Sequence, residues 1–213
     1  MEEEIIDYEK ILSNLKNRGY IPYFVKTKEE AKKLVMDEIL AGVHTLGKGG
    51  SQSLRDTGIW EVLVERDARE DDSRIELFAT TLYNQKGLDP DIALQKAMTA
   101  EAYICSTNAM TEKGTLLNVD GIGNRVGAMI YGPKKVILVI GKNKIYPDME
   151  TAWHGLKNNT CMPHANAESA CRKARKCVDC DKEYRACRVT SILDRALPGR
   201  EYHLVLIDDI VGA

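Results

Sequence analysis

Four cysteines, Cys171, Cys177, Cys180 and Cys187, fall within the stretch CRKARKCVDCDKEYRAC, spaced C-x5-C-x2-C-x6-C. Thiolates are soft ligands suited to zinc, to iron–sulfur clusters and to copper(I). Only Cys177 and Cys180 form a short C-x2-C pair. The spacing matches neither the paired knuckles of a zinc ribbon nor the cysteine run of a ferredoxin. It predicts a metal site at Cys171, Cys177, Cys180 and Cys187 and leaves the occupant open between zinc and an iron–sulfur cluster. Lysines and arginines among the cysteines favour the thiolate form and offset its charge. Cys161 lies upstream as a fifth ligand or a bystander, and His164, between Cys161 and Cys171, is within reach of the same site. Cys105, alone in an apolar run, reads as a small core residue.

The compartment bears on this reading. The N-terminus, MEEEIIDYEK, lacks the basic start and apolar stretch of a secretion signal. No run has the length and apolarity of a membrane span; VILVIG is preceded by Lys134 and Lys135. A net charge of −2 argues against a nucleic-acid-binding surface. The expectation is a cytoplasmic protein with reduced thiols, which favours metal ligation over disulfides.

Three further stretches carry chemistry suited to a small anion. GKGGS (47–51) joins a strand to a helix, and Gly49, Gly50 and Ser51 let a ligand approach the backbone and the free N–H groups of the helix start. It fits neither nucleotide-binding glycine pattern. STNAMTEKGTLLNVDGIGNR (106–125) is a loop-like segment rich in small polar groups. It supplies Thr107, Asn108, Thr111, Gly114, Asp120 and Asn124 as binding candidates, Glu112 as a candidate nucleophile or base, and Arg125 as a two-pronged anion clamp. GKNKIYPD (141–148) adds Lys144, while Lys142 reads as solvated.

The elements that must position these groups alternate between helix and strand. Ile5, Ile6, Tyr8, Ile11, Leu12 and Leu15 recur near the helical period, and Gly19 closes the run. YIPYFV reads as a strand. Thr27 and Glu30 form a capping-box pattern ahead of a helix over 28–40. Apolar runs at 43–46, at EAYICST, at KKVILVIG and at EYHLVLIDDI read as strands, with His44 inside the first. DPDIALQKAMTA and YPDMETAWHGLK read as helices. RVGAMIY (125–131) is a helix capped by Asn124, with a hairpin strand as the competing reading. The pattern predicts an α/β fold with a mostly parallel sheet, in one domain over 1–213. The cysteine-rich stretch, about 161–190, is an insertion before the last strand.

Four stretches together resemble the LUD-domain family, that of lactate-utilisation protein C: GGSQSLRDTGIWEVL, TNAMTEKGTLLNVDGIGNRVGAMIYGPKKVILVIGKNKIYPDMETA, the cysteine tract, and LPGREYHLVLIDDIVG. The cysteine tract is similar to that of a small stand-alone branch. It departs from that branch in RKARK after Cys171, where a Thr-Gly step is usual, and in DKEYRAC after Cys180, where Ser-Pro is usual. The resemblance implies a three-layer α/β fold similar to the coenzyme A transferase, ribose-5-phosphate isomerase and glucosamine-6-phosphate deaminase group. It also implies a role in oxidising L-lactate to pyruvate alongside iron–sulfur partner subunits. Class I coenzyme A transferases of that fold group carry a Glu in an S-E-N-G step, and TEKG places Glu112 similarly; this is analogy at the level of the fold.

Three readings follow. The first is an accessory or binding component of lactate or hydroxy-acid oxidation, holding a small anionic metabolite. The second is an independent enzyme acting on an anionic molecule or thioester through Glu112. The third is a binding or sensor protein whose metal braces a loop.

Overall fold

The computed structural model describes residues 6–183 and 185–212. Ile5, assigned above to the first apolar stripe, lies outside them. In chain order the elements are α1 (Tyr8–Asn17), β1 (Ile21–Val25), α2 (Lys28–Lys33), β2 (Thr45–Lys48), α3 (Gln52–Asp56), α4 (Ile59–Asp67), β3 (Glu76–Phe78), α5 (Thr80–Gln85) and α6 (Pro90–Ala97). They continue with β4 (Ala102–Cys105), β5 (Ala109–Thr111), β6 (Leu116–Asp120), α7 (Asn124–Tyr131), β7 (Lys135–Gly141), β8 (Ile145–Tyr146), α8 (Met149–Gly155), α9 (Met162–His164), α10 (Ala170–Ala174), β9 (Val189–Leu193) and β10 (Glu201–Ile207). π-Helical turns extend α2 over Leu34–Ile39 and α8 over Leu156–Cys161.

Six strands form one sheet in the order β1-β10-β7-β4-β2-β3, and every pairing in it is parallel. Strands of such a sheet are covered on both faces, so they must be apolar throughout. In β7, Ile137 and Val139 join one core, with Val35, Ile39, Leu54, Ile59 and Leu63 of the helical layer there. Val136, Leu138 and Ile140 alternate to the other core, with Ile11 and Leu15 of α1, Ala97 of α6, and Ala128 and Met129 of α7. β4 and β10 divide their side chains in the same way. The result is helix, sheet, helix: the three-layer α/β arrangement.

A second sheet, β8-β5-β6-β9, occupies the stretch read above as loop-like. β5 and β6 form an antiparallel hairpin, β9 adds antiparallel to β6, and β8 pairs parallel with β5. Met110, Leu116 and Leu193 pin it to the second core. β9 is a strand ahead of β10 that the sequence reading did not place. The cysteine-rich stretch leads into it.

Local chemistry explains where elements begin. Thr27 and Glu30 make the reciprocal capping box expected of them. The strand expected over 43–46 forms two residues later, at Thr45–Lys48. The Glu101 carboxylate accepts from the His44 and Thr45 N–H groups at 2.6 and 3.2 Å, so His44 lies just before the strand. The helix reading of RVGAMIY is correct, but Asn124 does not cap it. Gly123, at φ 85°, turns the chain, and the Asp120 carboxylate accepts from the Arg125 and Val126 N–H groups at 2.9 and 3.1 Å.

Candidate functional site: a cationic pocket at the sheet's carboxyl edge

The chain leaves β2 and β4, which are neighbours, in opposite directions. After β2 it enters α3, whose Leu54 packs in the first core; after β4 it enters β5, whose Met110 packs in the second. Such a divergence opens a crevice beyond the strands' carboxyl ends, where open α/β sheets bind ligands. A pocket of about 400 Å³ occupies it. Lys48, Gly50, Ser51, Gln52 and Arg55 line one side, following β2. Ser106, Thr107 and Asn108 line the other, following β4. Arg125 of α7 and Lys144, after β7, complete the floor, with Thr81, Thr160 and His164 at the walls. Gly49 has no room for a side chain: a Cβ there would lie 2.7 Å from the Tyr103 hydroxyl and 3.0 Å from Arg125 Cγ.

The lining holds four cations, Lys48, Arg55, Arg125 and Lys144, and no Asp or Glu. Among the described residues, none of the four has a carboxylate partner within 4.0 Å. Three are nearly enclosed: Lys48 is 8%, Arg125 7% and Lys144 4% exposed. Burial, followed by the neighbouring Arg55 charge, lowers the Lys48 ammonium to a pKa of about 8. Burial and then the Arg125 charge lower Lys144 to about 8, against a smaller pull upward from Asp56. Lys48 Nζ lies 4.4 Å from the centre of the Trp60 ring, and the Arg55 guanidinium 5.4 Å from it, so the indole supports both.

Lys144 Nζ donates to Ser53 Oγ at 2.9 Å and Ser106 Oγ at 3.1 Å, which leaves one N–H for a ligand. Among the described residues the buried Ser51 hydroxyl has no hydrogen-bond partner. Arg125 differs from expectation. Its Nη1 donates to Ser106 O and Asn118 Oδ1, and its Nη2 to Asn108 Oδ1 and Val119 O, at 2.7–3.0 Å. All four terminal N–H groups are committed, so Arg125 supplies buried charge and orders the wall rather than clamping an anion by two hydrogen bonds. α3 is five residues long and brings little dipole to the anion.

Of the binding residues read from sequence, Gly50, Ser51, Thr107, Asn108, Arg125 and Lys144 meet in this pocket, and Gly49 lies directly behind it. Others stand elsewhere. Thr111, Glu112 and Gly114 form the β5–β6 turn: Thr111 Oγ1 accepts from Thr115 N–H, and Gly114 adopts φ 89°. Glu112 lies 3.8 Å from Lys10 Nζ, and its carbonyl accepts from Asn14, which holds the turn against α1. Asp120 and Asn124 serve the start of α7. Lys48, Gln52, Arg55, Thr81, Ser106 and Thr160 were not singled out from sequence. The one signal for Lys48 was a lysine inside the glycine turn. Cys105 is fully buried beneath the pocket, and burial pushes its thiol up to about 12.

Cys161, Cys171, Cys177, Cys180 and Cys187 line a second, much smaller cavity of about 20 Å³. All are free thiols. Cys161 and Cys187 are hydrogen-bonded sulfur to sulfur, which raises the first thiol and lowers the second. Among the described residues, no three Cys, His, Asp or Glu side chains converge closely enough to hold a metal ion as placed. The donor chemistry suits a soft metal, and the space suits a single atom rather than a multi-iron core. His164 lines the cationic pocket.

No helix among the described residues is long and apolar enough to cross a membrane. Comparison with curated proteins found no match. Among solved structures, a DUF162 family protein from Deinococcus radiodurans resembles this chain at 10% identity and a TM-score of 0.49, over 96% of this chain and 100% of that one. The sequence profile described as the LUD domain matches residues 8–207, from α1 to the end of β10, and the chain therefore belongs to the LUD-domain family.

Proposed function

We propose that this protein binds a small organic or inorganic anion, of the size of a hydroxy acid or its keto acid, as a binding component of hydroxy-acid oxidation. The observation that carries this reading is the set of four cations lining one pocket, none of them, among the described residues, with a carboxylate within 4.0 Å. Unpaired buried charge is costly, and an anionic ligand is the usual compensation. The carboxylate meets Lys48, Arg55 and Lys144. A 2-hydroxyl or keto oxygen meets Ser51 or Asn108. The family resemblance points to L-lactate and pyruvate, with iron–sulfur redox subunits as partners that receive the electrons. Glu112 lies outside the lining, so the reading does not run through it, and thioester chemistry at that residue gains no support from its position.

Calorimetric titration with L-lactate, pyruvate, inorganic phosphate and neutral lactamide tests this. The anions should bind and lactamide should not, and Lys48→Met and Arg55→Met should each weaken binding about tenfold. Equal binding of lactamide, or no heat from any anion, overturns the reading.

A further inference from the structure

The five cysteines exceed the four positions of a tetrahedral site, and the structure ranks them. We propose that Cys161, Cys177, Cys180 and Cys187 bind a single zinc-class ion and that Cys171 stands outside the ligand set. Cys161 and Cys187 already touch, and both pack on the apolar patch formed by Ala109, Leu117 and Leu156. They bring two thiols together from the body of the fold. Cys177 and Cys180 supply the short pair that bites one ion. Asp179 between them adopts a left-handed φ of 41°. The Cys177 N–H donates to Asn158 Oδ1 at 2.8 Å and ties this segment to the π-helical segment bearing Cys161. Cys171 is held instead in α10, where its carbonyl accepts from Lys176 N–H.

Four thiolates around a dication carry a net charge of −2. Lys157 and Arg185 line the cavity and oppose that charge, and Arg185 Nε is buried with no partner among the described residues. Asp179 adds one negative charge, 3.4 Å from Arg185 Nη2. Because the thiols do not yet converge on one point, binding draws the 177–180 segment in on the Cys161–Cys187 pair. Each ligating thiol releases its proton to solvent.

The ion would also brace the anion pocket. Thr160, adjacent to Cys161, lines that pocket and donates to Asn108 O at 3.0 Å, and Asn108 Oδ1 accepts from Arg125. This coupling rests on the anion-binding reading; the ligand set does not.

Metal content of the full chain, measured by mass spectrometry after anaerobic preparation, should be one zinc-class ion. Cobalt substitution should give the intense visible bands of a four-thiolate site. With metal loaded, iodoacetamide should label Cys171 and spare the other four; after chelation all five should label. Cys171→Ser should keep its metal, and Cys161→Ser should bind at least tenfold more weakly. A metal-free wild type, several irons with sulfide, or labelling of Cys161 with Cys171 protected overturns the assignment. Chelation should weaken phosphate binding several-fold. Unchanged phosphate affinity refutes the coupling alone, and absence of binding of L-lactate, pyruvate and phosphate alike to the metal-loaded chain refutes the anion reading.

Discussion

At the scale of the residue, Lys48 and Lys144 set the behaviour of the pocket. Each sits near pKa 8 in the folded chain, against 10.5 ordinarily. Between about pH 8 and 10.5 the unfolded chain therefore binds more protons than the folded one. Stability from these two groups rises with pH across that window, and the full penalty of burying their charge is present below it. Anion binding runs the other way, because a neutral amine attracts no anion. Calorimetry at pH 7 and 9 should show affinity falling several-fold, with proton uptake on binding near pH 8. Lys144→Met separates the two roles: anion affinity should fall tenfold or more while urea stability at pH 7 holds or rises, since an apolar side chain replaces a buried charge. Glu112→Gln is the contrasting change. Its contact with Lys10 is largely solvated, so anion affinity should stay within twofold and stability within about 0.5 kcal/mol. Gly50, Ser51 and Lys144 were legible in the sequence because each follows an apolar strand. Lys48 was not, because a lysine at a strand's end reads as solvated until Trp60, twelve positions on, is placed over it.

At the scale of the element, α7 shows how a site residue is aimed by something other than its own chemistry. Arg125 reaches Asn108, Asn118 and Ser106 only if the first turn of α7 starts where it does. The Asp120 carboxylate fixes that start by accepting from Gly121, Arg125 and Val126 N–H groups. Asp120→Ala should cost about 1–2 kcal/mol in chemical denaturation, the usual loss of a helix cap. It should also weaken phosphate binding although Asp120 does not line the pocket. Asp120→Asn, which keeps one acceptor, should retain most of both. An alanine variant with unchanged affinity would mean that Arg125 is held by its wall contacts alone. The helix was readable from its own apolar period, whereas its cap was not, because Asp120 looked like a turn residue or a ligand. The second sheet escaped sequence reading for a related reason. β5 has three residues and β8 two, too few to display a period, and the buried Asn118 breaks the apolar run of β6.

At the scale of the whole molecule, alternating apolar runs and helices announced a parallel sheet covered on both faces. They did not announce the strand order or the path of the chain after β10. That final segment returns to the pocket's floor. Val211 is fully buried, Gly212 N–H donates to Asp56 Oδ2 at 2.8 Å, and Gly212 O accepts from Asn143 Nδ2 at 2.8 Å. It thereby joins α3, which follows β2, to the turn after β7 that carries Lys144. No local pattern predicts such a contact, because its partners lie more than sixty residues apart in sequence. Gly212 is also conformationally required. It adopts φ 69°, and a Cβ would lie 2.5 Å from Ser53 Oγ and 2.7 Å from Lys144 Nζ. Gly212→Val combines a left-handed backbone penalty of roughly 1–2 kcal/mol with displacement of the serine that holds Lys144. Urea denaturation should show a loss of about 1–3 kcal/mol, and calorimetry should show weaker phosphate binding. Ile210→Ala, two positions earlier at a residue 63% exposed, should leave affinity unchanged. If Gly212→Val loses stability but binds phosphate as tightly as the wild type, Lys144 is positioned by Ser106 alone and the chain's final turn is a brace for the sheet, not for the pocket.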